Sequence, residues 1–286
     1  MVERLTLSKM DLKKIEKFSY EFRLKILKSI FKAQKGHIGG VFSIIDFISL
    51  LYLNNYVRLK KNKKIDLVND DYCILSKGHA GIAQYVLLNH FKFIKDKDFD
   101  SFCKDGGMLG EHPDSNIPGI KVVGGSLGHG IGIASGIAYH RSINNINKKL
   151  YVIIGDGELS EGSNWEAILN IISSNVIKNL IIILDFNQYM TLKNTNEYIR
   201  KNKLKMFFDN SNFNFFDLNG HNFKQMNDCL AKIQKSNNNA FIVLNTFKAK
   251  GISFMENKKE WHHKVPDYQQ FMDAKKEIEK KINNYA

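Results

Sequence analysis

Two short segments offer oxygen atoms that one divalent cation could share. Gly155-Asp156-Gly157-Glu158 sets a carboxylate between two glycines, and Phe186-Asn187-Gln188-Tyr189 supplies an amide oxygen. The glycines let the backbone turn sharply and approach a ligand closely. Asp156 and Asn187 are 31 residues apart, the length of one strand–helix–strand crossover. Two adjacent strands would then deliver both hard oxygens to one spot, which suits an Mg²⁺ that keeps phosphate oxygens among its ligands. Taken singly, each segment reads as a tight turn. Taken together, and followed by Glu161-Gly162-Ser163-Asn164-Trp165-Glu166-Ala167, they read as a metal site.

Histidines are the second chemical feature. Four of the nine, His37, His79, His112 and His262, fall in glycine-bearing loops or beside predicted strand ends. A lone loop histidine is usually just solvated, but this grouping favours a shared cleft in which imidazoles exchange protons near neutral pH. Trp165, Met190, Met206 and Met255 read as packing residues.

The elements that must position these groups alternate in period. Ser8 can cap a helix to about Gln34, with Leu12, Ile15, Phe18, Phe22 and Ile26 along one face. Ser43 can cap a second helix, Ile44–Asn54. Further helices are expected at about Ala80–His90, Gly128–His140, Trp165–Ser174, Phe223–Ile233 and Gln269–Ile282. Short apolar runs at Tyr72–Leu75, Leu150–Ile154, Leu180–Asp185, Phe215–Leu218 and Phe241–Asn245 read as strands. Apolar strands separated by helices predict an α/β fold: a parallel sheet with helices on both faces. Ligands in such a sheet sit beyond the carboxyl ends of the strands. The Gly- and Ala-rich helix from Gly128 implies close packing against a neighbour. The glycine-rich, aperiodic stretch Cys103–Gly130 is long enough to be functional.

Composition bounds the remaining classes. The chain has 286 residues, 43% hydrophobic and 25% charged, with three prolines and a net charge of +13. This is ordinary globular composition with no proline-rich linker. The lysines are interspersed with acids, so the excess reads as a basic soluble surface rather than a nucleic-acid patch. Cys73, Cys103 and Cys229 are widely spaced, which suits a reducing compartment. The charged start MVERLTLSKM is not a signal peptide, and no apolar run is long enough to span a bilayer. A cytoplasmic protein without membrane or nucleic-acid partners is expected.

GDGELSEGSNWEA followed by LDFNQ resembles the thiamine-diphosphate motif in its transketolase wording. Five further segments, in the expected order, resemble the same family. They are Lys35-Gly36-His37-Ile38-Gly39-Gly40 (GHxGG), Ser76-Lys77-Gly78-His79 (SKGH), Glu111-His112-Pro113-Asp114 (GHP), Gly125-Ser126-Leu127-Gly128-His129-Gly130 (GSLGQG), and Lys250-Gly251 with Trp261-His262 (GKG…WH). In particular, the wording is similar to that of the amino-terminal, thiamine-diphosphate-binding half of split transketolases.

The resemblance implies a thiamine-diphosphate-binding fold over 1–286 and a two-carbon ketol transfer from a ketose or ketose phosphate to an aldose. It implies Mg²⁺ (or Ca²⁺) held by Asp156, Asn187 and the main-chain carbonyl of Tyr189. Gly157 and Glu158 would lie at the diphosphate, with Gly125, Ser126 and Leu127 over the aminopyrimidine. His79 and His262 would face diphosphate and thiazolium, His37 and His262 the donor's hydroxyls, and His112 would join them in handling protons. Glu161 corresponds to an acid at the dimer interface; from the sequence alone it reads equally well as a first-turn carboxylate stabilised by the helix dipole.

Thiamine chemistry also needs a carboxylate on the pyrimidine ring, which the family supplies from a pyrimidine-binding domain. With 24 residues after His262, that domain is expected on a partner chain, the carboxy-terminal transketolase subunit, in a heterotetramer of two copies of each. His129, Phe186, Val122-Val123 and Met190-Thr191-Leu192 depart from the family pattern and point to a specialised sugar substrate. Two other readings stay open: the α chain of another thiamine-diphosphate enzyme (2-oxo acid dehydrogenase or deoxyxylulose phosphate synthase type), and a non-catalytic basic binding protein.

Overall fold

Five strands form one fully parallel sheet. In chain order they are β1 (Tyr72–Leu75), β2 (Leu150–Gly155), β3 (Leu180–Phe186), β4 (Phe213–Asn219) and β5 (Asn239–Asn245). They lie side by side as β1-β2-β3-β5-β4. The computed structural model describes residues 10–60, 64–188, 195, 199–209 and 211–285.

Every residue of β1, β2 and β3 is buried, as expected of strands covered on both faces. Tyr151, Ile153, Ile181, Ile183, Ile242 and Leu244 enter one core. Helices α1 (Leu12–Ala33), α2 (Ile38–Leu53), α3 (Gly81–His90), α8 (Phe223–Gln234) and α9 (Tyr268–Asn283) contribute to that core. The alternate residues Val152, Ile154, Ile182, Leu184, Phe241 and Val243 enter a second core with α5 (Gly130–Ile143), α6 (Gly162–Ser173) and α7 (Lys201–Asp209). A short helix, α4 (Asp96–Phe99), precedes the glycine-rich segment, which runs through turns and bends to α5.

Several boundaries differ from expectation. Asp11 caps α1 by accepting the Lys13 amide at 3.4 Å; Ser8 lies outside the described residues. Ser43 caps nothing: α2 begins at Ile38, and the Ser43 hydroxyl, inside the helix, donates to Asp185 Oδ2 at 2.6 Å. Glycines open α2 because the space beside them is taken. A Cβ on Gly39 would stand 2.4 Å from the Trp261 carbonyl oxygen. The sequence pattern does not predict α7, on which only Leu204 and Phe208 are buried; Met206, expected in the core, is 62% exposed there. Met255 is fully buried, and Met190 lies outside the described residues.

The close packing expected of the glycine-rich helix holds at its start. A Cβ on Gly130 would meet Ser76 Oγ at 2.2 Å, but Gly132 and Gly136 face open space. Among the described residues no helix is long and apolar enough to cross a membrane.

Candidate active site

The carboxyl ends of β1, β2, β3 and β5 meet at a cavity of about 340 Å³. Sheet register explains the convergence. Gly155 pairs with Asp185 and Phe186 with Asn245, so the chains leave the sheet together and release Asp156, Asn187 and Lys248 into one space. All three line the cavity, with Lys77 and His79 from the turn after β1. His37, the residue preceding α2, His112 and Gly125 of the glycine-rich segment, and His262 complete much of the wall.

Asp185 anchors the cavity floor. Fully buried, its carboxylate accepts from Ser43 Oγ at 2.6 Å, Thr246 Oγ1 at 2.5 Å, Asn187 Nδ2 at 3.2 Å and the Lys77 ammonium. Burial alone would raise its pKa, but Lys77 and these donors hold it below the ordinary carboxylate range. The bond from Nδ2 fixes the orientation of the Asn187 amide. Asp156 is held differently. Its Oδ1 accepts the Gly157 amide at 2.9 Å, and its Oδ2 accepts the Gln188 amide at 2.7 Å and Thr195 Oγ1 at 2.8 Å. Burial, and then the negative charge of Asp185, raise its pKa. A cation beside Asp156 would reverse that effect.

Glu158 also lines the cavity, but its carboxylate organises the wall. Oε1 accepts from Ser76 Oγ and from the Gly128 amide at 3.0 Å, and Oε2 accepts the Gly155 amide at 3.2 Å. It thereby joins the turns after β1 and β2 to the entry into α5. The same crowding makes glycine obligatory at two places. A Cβ on Gly78 would lie 2.2 Å from the Gly125 nitrogen; Gly125 has φ +113°, and its own Cβ would lie 2.7 Å from the His112 ring.

Three of the imidazoles are neutral. Burial, and then the positive charge of Lys248, lower His262 to about 3. Burial lowers His37 to about 4, partly opposed by Glu111. Burial and Lys77 push His79 well below its usual value. Lys248 Nζ lies 2.6 Å from His262 Nδ1, so its ammonium donates to that nitrogen and Nε2 carries the proton. Burial, then Lys77, lower Lys248 itself to about 8.

His37, His79, His112, His262, Glu161, Gly125, Leu127, Asp156, Gly157, Glu158 and Asn187 all line this one cavity. Glu161 and Leu127 are exposed at its open side, and Ser126 is exposed without lining it. Tyr189 lies outside the described residues. Sequence reasoning missed the functional weight of Lys77, Asp185 and Lys248. Lys77 stands within the SKGH segment and Asp185 within LDFNQ, so a signal was present. Lys248, two residues before the Lys250 of the GKG-like segment, lines the cavity, whereas Lys250 pairs with Glu256 at 3.3 Å. Trp165, half-buried, donates its indole N–H to the Leu159 carbonyl at 2.8 Å and packs on Phe207 rather than lining the cavity.

Residues 16–280 match the family described as transketolase, thiamine diphosphate binding domain. The fold and cleft are therefore those of a thiamine-diphosphate-binding domain, and the expected α/β parallel architecture holds. More particularly, the chain belongs to the transketolase family. It is 30% identical over 276 residues to an apulose-4-phosphate transketolase subunit of Phocaeicola vulgatus, covering 96% of each chain. It is 33% identical over 234 residues to the protein of the same name in Actinobacillus succinogenes, covering 81% of this chain and 83% of that one. Transketolase from Campylobacter jejuni superposes with TM-score 0.86 at 25% identity, over 94% of this chain and 43% of that one. The chain thus spans less than half the length of that transketolase, and most of the length of the two apulose-4-phosphate transketolase subunits.

Proposed function

We propose that this chain is the diphosphate-binding subunit of a transketolase that moves a two-carbon ketol unit from a ketose phosphate to an aldose. The carrying observation is that Asp156 and Asn187, released by adjacent parallel strands, line one cavity with Lys77, Lys248 and four histidines. A carboxylate and an amide oxygen are hard donors suited to Mg²⁺. Asp156 is buried, and the nearby ammonium of Lys77 pairs with Asp185, so the donor set fits a divalent ion there. The Tyr189 carbonyl completes the ligand set in this reading.

Thiamine diphosphate, when bound, supplies the electron sink for cleaving and forming the carbon–carbon bond. The protein's own groups bind, orient and handle protons. Gly157 presents its backbone N–H to phosphate without a side chain in the way. Lys248 and His79 add cationic and N–H donors to the diphosphate. Glu158 holds Gly128 and so sets the position of Gly125, Ser126 and Leu127, which would lie over the aminopyrimidine. His37 and His262, neutral and within 5.8 Å of each other by ring centroid, exchange hydrogen bonds with the donor's hydroxyls and carbonyl. His112 lies beside them. Because His262 Nδ1 already accepts from Lys248, that ring offers the sugar its Nε2–H as a donor.

The partner is a second chain bearing the pyrimidine-binding domain and its carboxylate. Supporting this, the cavity opens beside exposed Leu127 and Glu161, and nearby α5 turns Ile133, Tyr139 and Ile143 to solvent, 43%, 48% and 53% exposed. Apolar side chains clustered on one face are the usual mark of an interface. Two copies of each chain would form the enzyme, in the cytoplasm, where the three free cysteines stay reduced. Purified alone, the chain should show no ketol transfer and regain it with the partner; robust activity alone contradicts the assignment.

A further inference from the structure

At the mouth of the cavity, three side chains from distant segments converge without belonging to the Asp156–Asn187 pair. They are His37 before α2, Glu111 in the glycine-rich segment and His263, which follows the cavity residue His262. His37 Nδ1 stands 2.8 Å from Glu111 Oε1, and His263 Nε2 stands 3.7 Å from the same oxygen. One ligand atom from each lies within 4.8 Å of the others. The two imidazoles cross at 68° with centroids 4.3 Å apart.

The contact between His37 and Glu111 is short but poorly aligned for a hydrogen bond. Both His37 Nδ1 and Glu111 Oε1 are buried polar atoms without a hydrogen-bond partner. Such atoms are costly unless something else satisfies them. Here they share a small space with a third potential ligand.

We propose that His37, Glu111 and His263 form a binding site for a borderline-soft divalent metal ion of the Zn²⁺ type. Two imidazole nitrogens and one carboxylate, with a fourth position open to water, is a common open zinc ligand set. Tetrahedral coordination at the usual Zn–N and Zn–O lengths separates ligand atoms by about 3.4 Å. The observed 2.8 and 3.7 Å to Glu111 lie on either side, and the two imidazole nitrogens, within 4.8 Å of each other, would close toward that separation around the ion. Imidazole ligands favour zinc and its d-block neighbours, whereas the Asp156–Asn187 pair offers only oxygen to magnesium. Burial keeps His37 neutral, as a ligand must be. The His263 side chain, 61% exposed, gives the ion a way in. Glu111 stands at the glycine position of the GHP wording that this segment resembles. Because His37 also lines the cavity, an ion held there narrows the entrance and competes with a ligand for that imidazole.

The zinc site does not depend on the cofactor reading, and no catalysis is needed to detect it. ZnCl₂ is titrated calorimetrically into the full chain in excess Mg²⁺, for the parent and for His263→Ala, Glu111→Gln and Asp156→Ala. The expected result is one Zn²⁺ per chain, bound at least tenfold more weakly by both His263→Ala and Glu111→Gln and unchanged in Asp156→Ala. Co²⁺ at the same site should give the visible absorption of a tetrahedral centre. His263 is exposed, so its replacement leaves the fold intact, and far-UV circular dichroism checks this. Absence of Zn²⁺ binding by the parent, or parent-like affinity in either His263→Ala or Glu111→Gln, overturns the proposal. Thiamine diphosphate titrations report separately on the cofactor site.

Discussion

Lys77 and Asp185 form an ion pair sealed from solvent, with side-chain exposures of 1% and 0%. Breaking such a pair by removing one partner leaves a bare buried charge, at a cost of roughly 3–5 kcal/mol. Asp185 also orients Asn187 and accepts from Ser43 and Thr246. Lys77→Met should therefore lower unfolding stability by several kcal/mol in a denaturant titration. It should also weaken cofactor binding, because the freed carboxylate would repel diphosphate. The double variant Lys77→Met/Asp185→Leu should recover part of the stability but not the binding.

The depressed imidazoles set a direction for acid stability. His37 falls to about 4 and His262 to about 3 in the folded chain, against about 6.5 when unfolded. Between these values the unfolded chain binds more protons, so stability rises with pH. It should decline as pH falls from about 6.5 toward 4, at up to about 1.4 kcal/mol per pH unit for each histidine. Below about 3 these two groups add no further slope. Unfolding curves at stepped pH check this, and His262→Gln should flatten the decline; an unchanged slope would remove His262 from the account.

Gly78 has no room for a methyl group, the nearest backbone atom being 2.2 Å from its virtual Cβ. Gly78→Ala should displace the segment carrying Gly125, at a cost of about 1–3 kcal/mol. Its thermal midpoint should fall, and its affinity for thiamine diphosphate should fall with it. A variant with parent-like melting would show that the two loops are not packed as described.

Lys248 faces His262 in the cavity rather than pairing with a surface acid. Charge-assisted bonds to phosphate contribute about 1.5–3 kcal/mol each. Lys248→Met should lower affinity for thiamine diphosphate about tenfold or more, and affinity for unphosphorylated thiamine much less. Equal losses for both ligands would argue that Lys248 only supports His262.

Much of this is legible in the sequence because the chemistry sits where regular structure ends. The apolar runs at Leu150 and Leu180 announce buried parallel strands, and the residues just beyond them, Asp156 and Asn187, can be read directly. What escapes depends on tertiary contact. Ser43 looks like a helix cap, but α2 opens earlier, at Ile38, where the Trp261 carbonyl leaves Gly39 no space for a Cβ and the His79 ring crowds Gly40. Lys77 is marked in the sequence only by its place in the SKGH segment, and Lys248 resembles any other lysine among the 42 Lys and Arg residues until the sheet register brings both to the cavity. Asp185 reads as the polar end of a strand, and only the fold surrounds it with four donors. Glu158, expected at the cofactor, spends its carboxylate on holding three turns together.

The most direct test of the central claim is calorimetric titration of thiamine diphosphate into the chain, alone and with its partner, with and without Mg²⁺. Binding should require the ion and should be lost in Asp156→Ala and Asn187→Ala while both variants remain folded. Undiminished, Mg²⁺-independent binding in those two variants would contradict it.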